Sequence, residues 1–192
     1  GKGEIVCGLA LMLKGENSSA VVDRVKEKMA QINKTLPEGV VAEAFIDKKA
    51  RVVIHGRSRD ELESVKASIG AFACVDGDLG TAGGCDNVLE QLAALGQVEV
   101  LVNNAGFMFE KTLEQMQLED WNRMLAVNLT APAFLSRALL PLIRAAGGGS
   151  IVNIGSIEGL AANPQHAAYC ASKGGVHALT KAMAIDLGSD NI

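Results

Sequence analysis

Tyr169 and Lys173 stand four residues apart in AYCASKGG, a spacing that on a helix puts both side chains on one face, one turn apart. An ammonium beside a phenol favours the phenolate and draws its pKa from about 10 toward working pH. The pair is therefore suited to give a proton to a carbonyl oxygen or to take one from an alcohol. Alone, such a pair is more often an interfacial tyrosine beside a solvated lysine. Thirteen residues upstream, Ser156 ends the apolar stretch SIVNIGS (150–156). A hydroxyl there can hydrogen-bond a carbonyl oxygen and hold it near the phenol, although serine is also a common turn residue. LVNNAG (101–106) closes another apolar stretch with two asparagines, which can tie neighbouring strands together. The small Ala105 and Gly106 let a flat ligand approach the backbone. Asn128 falls inside a helical stretch, where asparagine is a poor fit, so it marks a kink or a specific hydrogen bond.

Strands must bring these residues together. RVVIHG (51–56), AFACVDGDL (71–79), Val98–Asn103 and SIVNIGS (150–156) read as buried strands. Between and after them, helices are expected at Ser58–Ile69, Asp86–Leu95, Leu118–Arg144 with a break near Pro132, and about Pro164–Leu187. Alternating strands and helices predict an α/β fold, a doubly wound parallel sheet (Rossmann-like) in a single domain. The front of the chain has another texture. Residues 4–13 form an apolar run of strand length, Val21, Val25, Met29 and Ile32 recur at helical spacing, and residues 40–45 are strand-like. The expected organisation is a strand–helix–strand segment over 1–50 and a core over 51–192.

Composition narrows the function. In 192 residues, 48% are hydrophobic and the net charge is −4, which suits a globular domain without a basic surface for nucleic acid or acidic membranes. Four cysteines without CxxC spacing and three histidines make a metal site improbable. The longest apolar run near the start, Ile5–Leu13, is too short to span a bilayer and lacks the flanks of a signal peptide, so a cytoplasmic protein is expected.

From about Arg51 to Ile192 the chain resembles a classical short-chain dehydrogenase/reductase, on NNAG at 103–106, Asn128, Ser156 and YxxxK at 169–173, in that family's order and spacing. The resemblance implies that Tyr169 is the acid/base, that Ser156 orients the carbonyl, and that Lys173 holds the nicotinamide ribose and tunes Tyr169. Asn128 would anchor a water connecting Lys173 to solvent. It further implies hydride transfer between a nicotinamide and a small-molecule carbonyl or secondary alcohol. By the same analogy Asp78 and Leu79 meet the adenine, Asn104, Ala105 and Gly106 line its ribose, and Ile154 lies against the cofactor with Tyr169 and Lys173. After the strand RVVIHG come Arg57, Ser58 and Arg59, with no acid until Asp60. A guanidinium and a hydroxyl there suit the 2′-phosphate of NADP rather than NAD. Pairing through the helices at about 118–144 and 164–187 is also implied, giving a homodimer or homotetramer.

Two departures qualify that reading. No glycine-rich phosphate turn precedes Arg51. Residues 3–47 instead resemble the periplasmic porter region of a resistance-nodulation-division heavy-metal efflux pump, as if a fused segment replaced the first strand and helix. In that arrangement Lys14–Ser19 would occupy the phosphate-binding turn or, more simply, serve as a connector. The sequence also stops at Ile192, where the family continues into further strands and a substrate lid, which suggests a fold incomplete at its C-terminus and slow, unselective turnover. The competing readings are a catalytically silent nucleotide-binding or structural relic of a gene fusion and, less favoured for want of a soft-metal cluster or a membrane span, an efflux fragment.

Overall fold

The computed structural model describes the backbone of residues 9–12, residue 46, and residues 49–192. Five strands form one sheet: β1 (Leu9–Met12), β2 (Val53–Gly56), β3 (Ala73–Asp76), β4 (Val100–Asn103) and β5 (Ser150–Asn153), in the order β3-β2-β1-β4-β5. The pairs β2–β3 and β4–β5 are parallel. β2 and β4 are buried along their whole length, so their alternate residues enter different cores. Val53 and Leu101 point into a cluster with Val88, Leu92, Leu135 and Leu139, whereas Val52, Ile54, Val100 and Val102 pack with Leu62 on the other side. The expected doubly wound α/β class holds.

One strand departs from the parallel expectation. β1 lies in the centre of the sheet and runs antiparallel to both neighbours, Leu9 pairing with Asn103 and Met12 with Val100. It therefore reaches the carboxyl ends of the parallel strands at Leu9 and leaves from the opposite end at Met12. The stretch Lys14–Ser19 lies outside the described residues. The helix and second strand expected between residues 17 and 45 also lie outside the described residues.

Local chemistry sets the helix limits. α1 (Arg59–Ile69) begins because Ser58, in extended backbone, accepts a hydrogen bond from the Glu61 amide at 3.4 Å, and Asp60 and Glu61 favour its positive end. It stops at Gly70, whose φ of 73° is left-handed. α2 (Ala82–Ala93) starts four residues before the expected Asp86, because Thr81 caps the Gly84 amide at 3.0 Å and the early turn tolerates the two glycines. α3 (Leu118–Leu125) and α4 (Ala131–Ala145) are joined by a π-turn at Ala126–Thr130, where the Ala131 amide bonds the Ala126 carbonyl five residues back. Pro132 has no N–H for the carbonyl of Asn128, so the expected break falls on the residues just before it. α5 (Ala167–Leu187) starts later than Pro164, since Gln165 adopts a φ of 67°.

Leu118–Ala145 is long and apolar enough by composition to cross a membrane, yet it spends Met124, Val127, Leu135, Leu139 and Ile143 on the core. Two polar contacts tie the layers together. Asn103 donates from Nδ2 to Ser136 Oγ at 3.1 Å and to Asn153 Oδ1 at 2.8 Å, joining β4 to α4 and β5. Asp78, after β3, receives both its hydrogen bonds to Arg123 of α3 at 2.8 Å. Partial burial pushes the Asp78 carboxyl up, but the Arg123 guanidinium, the Gly80 amide and nearby Arg57 outweigh it and hold the acid below its ordinary range.

Two outcomes follow. Asn103→Leu leaves Asn153 and Ser136 short of a buried donor, so urea unfolding should show a loss of about 1–3 kcal/mol. Because Asp78 titrates lower when folded than when unfolded, its stabilising effect is full above the unfolded value and fades as pH falls through the folded one. The melting temperature of Arg123→Met should accordingly sit below wild type at pH 7 and converge with it under strong acid; a gap that persists unchanged would show that the pair is not its source.

Candidate active site

Lys173 is 6% exposed, so its ammonium needs partners inside the protein. Its Nζ donates to the Ile154 carbonyl at 2.7 Å, just past the end of β5. The same Nζ lies 5.8 Å from the centre of the Tyr169 ring, one turn back on α5, as the i, i+4 spacing requires. A Cβ placed on Gly106 would come within 3.7 Å of that Nζ and 3.3 Å of Asn128 Oδ1. Glycine at the end of NNAG thus lets the turn after β4 close in on the ammonium.

Asn128 is 1% exposed and held inward by the π-turn. Its side-chain amide pairs with the backbone of Phe107, Oδ1 accepting from the amide at 3.0 Å and Nδ2 donating to the carbonyl at 2.9 Å. Nδ2 also reaches Ser172 Oγ at 3.1 Å, and Ser172 donates to the Tyr169 carbonyl at 2.8 Å. One asparagine therefore connects the NNAG turn, the α3–α4 junction and the helix that carries tyrosine and lysine.

Ser156 stands three residues beyond β5, which ends at Asn153, so it belongs to the following turn rather than to the strand tip expected for it. It opens a 3₁₀ turn (Ile157–Gly159), and its Oγ accepts from the Glu158 amide at 3.2 Å. A hydroxyl that accepts from an amide keeps its own proton to donate. The turn rests on α5: a Cβ on Gly159 would lie 2.8 Å from the Lys173 carbonyl.

A groove of about 950 Å³ runs along the carboxyl ends of the strands. Of the residues singled out in the sequence for a nucleotide, Arg57, Ser58, Asp78, Leu79, Ala105 and Gly106 all line it. Asn104, Ile154, Tyr169 and Lys173 are not among its lining residues, and of these Lys173 stands next to the groove's Gly106 end. Arg59 is engaged elsewhere, with Asp76 at 3.2 Å and Glu63 at 2.8 Å, and the Asp76 contact leads in raising its pKa. Among the described residues Arg57 also lines the groove, and it forms no salt bridge there. Sequence reasoning missed Arg123, which lines the groove beside Asp78 and carries no motif of its own. It also missed His166 and Glu158, bonded at 2.7 Å beside Tyr169.

Known proteins resemble this chain in sequence and in fold. The profile described as short chain dehydrogenase matches residues 39–192, beginning ahead of the 51 boundary read from the motifs. The chain is 36% identical over 173 residues to the NADP-dependent (R)-specific alcohol dehydrogenase of Lentilactobacillus kefiri, covering 86% of this chain and 69% of that protein. It is 32% identical over 160 residues to the D-threitol dehydrogenase of Mycolicibacterium smegmatis, covering 79% and 60%. Among solved structures, a putative NAD(P) dependent gluconate 5-dehydrogenase from Beutenbergia cavernae with bound NADP superimposes with a TM-score of 0.65 at 38% identity, covering 71% of this chain and 56% of that one. A metagenomic short-chain oxidoreductase in complex with NADP gives 0.68 at 37% identity, over 74% and 66%. The chain thus spans between 56% and 69% of the length of these four proteins. With NNAG, Asn128, Ser156 and YxxxK gathered at the ends of one sheet and four fifths of its residues matched, the chain belongs to the short-chain dehydrogenase family.

Proposed function

We propose that this chain binds NADP(H) in the groove and catalyses hydride transfer between the nicotinamide and a small-molecule carbonyl or secondary alcohol. The observation that carries the reading is the buried ammonium of Lys173, fixed between the Ile154 carbonyl, the Gly106 turn and the Tyr169 ring. The groove suits the dinucleotide: Arg57 and Ser58 offer a guanidinium and a hydroxyl for a 2′-phosphate, and the turn at Ala105–Gly106 leaves room for a ribose. Bound NADP(H) supplies the hydride chemistry.

In this reading Ser156 donates a hydrogen bond to the carbonyl oxygen and holds it for Tyr169, whose phenol gives up its proton as that oxygen gains charge. Lys173 offsets the charge left on Tyr169 and holds the ribose. Asn128 keeps the π-turn and α5 in register and anchors the water through which the proton is replaced. Ile157 and Leu160, 74% and 77% exposed beside the Ser156 turn, offer a substrate apolar surface with no fixed enclosure, which fits the proposed broad acceptance and slow turnover. A cytoplasmic location and a homodimer or homotetramer belong to the same proposal, the assembly using α3–α4 and α5, where Phe134 and Ile185 are 51% and 82% exposed. So does a pump-derived origin for residues 3–47.

A catalytically silent, nucleotide-binding relic is the second reading. The antiparallel course of β1 favours it, since Met12, the last described residue of that strand, pairs with Val100 at the end of β4 away from the groove.

Three measurements decide. NADPH should bind saturably by fluorescence, with NADH weaker and Arg57→Glu reversing much of that preference; no saturable binding of either would eliminate the proposal. On a panel of aldehydes and ketones, Tyr169→Phe should lose about 10²–10⁴-fold in rate with NADPH affinity retained, whereas equal rates, or no turnover by either protein, would favour the silent relic. Light scattering should give a dimer or tetramer, and a clean monomer would refute the proposed assembly.

A further inference from the structure

We infer that Glu158 and His166 form a positioning dyad that locks the Ser156 turn to the start of α5, and so sets the spacing between Ser156 and Tyr169. The inference rests on the reductase reading of that site, and it concerns residues outside the catalytic set.

Glu158 holds both sides of the site at once. Through its backbone, its amide donates to Ser156 Oγ at 3.2 Å. Through its carboxylate, Oε2 accepts from His166 Nδ1 at 2.7 Å and Oε1 accepts from Asn163 Nδ2 at 2.8 Å. His166 is the residue on which α5 starts, three positions before Tyr169, and its side chain makes no capping bond to the helix. Its imidazole instead stands edge-on to the Tyr169 ring, with centroids 6.4 Å apart and planes at 78°. A serine whose hydroxyl is oriented by one end of Glu158 is thus tied, through the other end, to the ring that packs on the tyrosine.

The physics favours a firm link. The Glu158 and His166 side chains are only 14% and 11% exposed, so their bond is little diluted by solvent. The His166 bond leads the contacts that hold the Glu158 carboxyl below its ordinary range, which keeps it an acceptor at neutral pH. On the far side of the imidazole, Nε2 faces Glu110 at 3.7 Å, a contact too long for a good hydrogen bond and 67% exposed on its acidic partner. Nδ1 toward Glu158 is accordingly the anchored nitrogen, and the ring has one settled orientation against Tyr169.

The test compares wild type with His166→Ala, His166→Asn and Glu158→Gln, by steady-state carbonyl reduction, NADPH binding and amide hydrogen exchange. Loss of the dyad in His166→Ala should lower kcat about 10- to 100-fold, as misplacement of reacting groups does, with the NADPH Kd within twofold. Asparagine can still donate to Glu158, so His166→Asn should recover most of that loss. Exchange should rise together in residues 157–159 and in the first turn of α5 in His166→Ala, and to a smaller degree in Glu158→Gln, which keeps the volume if the alanine variant folds poorly. Unchanged kcat, or faster exchange on one side alone, would overturn the dyad. If wild type itself reduces no carbonyl, the reductase reading fails, and the exchange arm still decides the link.

Discussion

An ammonium placed inside a protein must be fed acceptors, and the surroundings of Lys173 are arranged to do so. At 6% exposure it draws in the Ile154 carbonyl at 2.7 Å, which fixes where the chain leaves β5 and where the Ser156 turn begins. It lies on α5 one turn after Tyr169, so anchoring the lysine also fixes the phenol. The glycine that ends NNAG and the π-turn that turns Asn128 inward let two further elements approach the same point. Burying that charge costs stability that a hydrocarbon side chain would not. The proposed chemistry gives that cost a reason.

The sheet and the polar ties give this point its rigidity. β2 and β4, buried along their whole length, hold the carboxyl ends of β2, β3 and β4 in one row, and the groove follows that row. Asn103 and Asn128 act as crossbars, one below the site and one beside it. Asp78 and Arg123 close the groove's wall with two 2.8 Å hydrogen bonds, while Arg59 is withdrawn into a pair of acids. Among the described residues the groove keeps Arg57 near Asp78 without a salt bridge of its own, the feature on which the proposed preference for NADP rests.

How much of this the residues announce in advance depends on the kind of interaction. Apolar strands such as RVVIHG and SIVNIGS, and the tyrosine–lysine spacing, are local patterns, and the structure has β2 and β5 within those two stretches, although β5 ends three residues before Ser156. Helix starts shift by a few residues because caps override periodicity: Thr81 begins α2 ahead of its two glycines, and Gln165 delays α5. The direction of β1 is not legible, since an apolar run reads the same either way. Pairs between distant segments, Asp78 with Arg123 and Ser136 with Asn103, depend on three-dimensional proximity that no spacing encodes. The link of Glu158 to His166 spans only eight residues, yet it was missed for a different reason: neither residue belongs to a recognised motif.

The account stands on the claim that the buried charge of Lys173 serves the chemistry rather than the fold. Single-turnover oxidation of bound NADPH by a carbonyl substrate, followed in wild type and in Lys173→Met, tests it most directly. Methionine fills the space without the charge, so the variant should fold with equal or greater stability by circular dichroism and thermal melting while the hydride-transfer rate falls by about a hundredfold or more. A Lys173→Met protein that oxidises NADPH at close to the wild-type rate, or one that fails to fold at all, would contradict it.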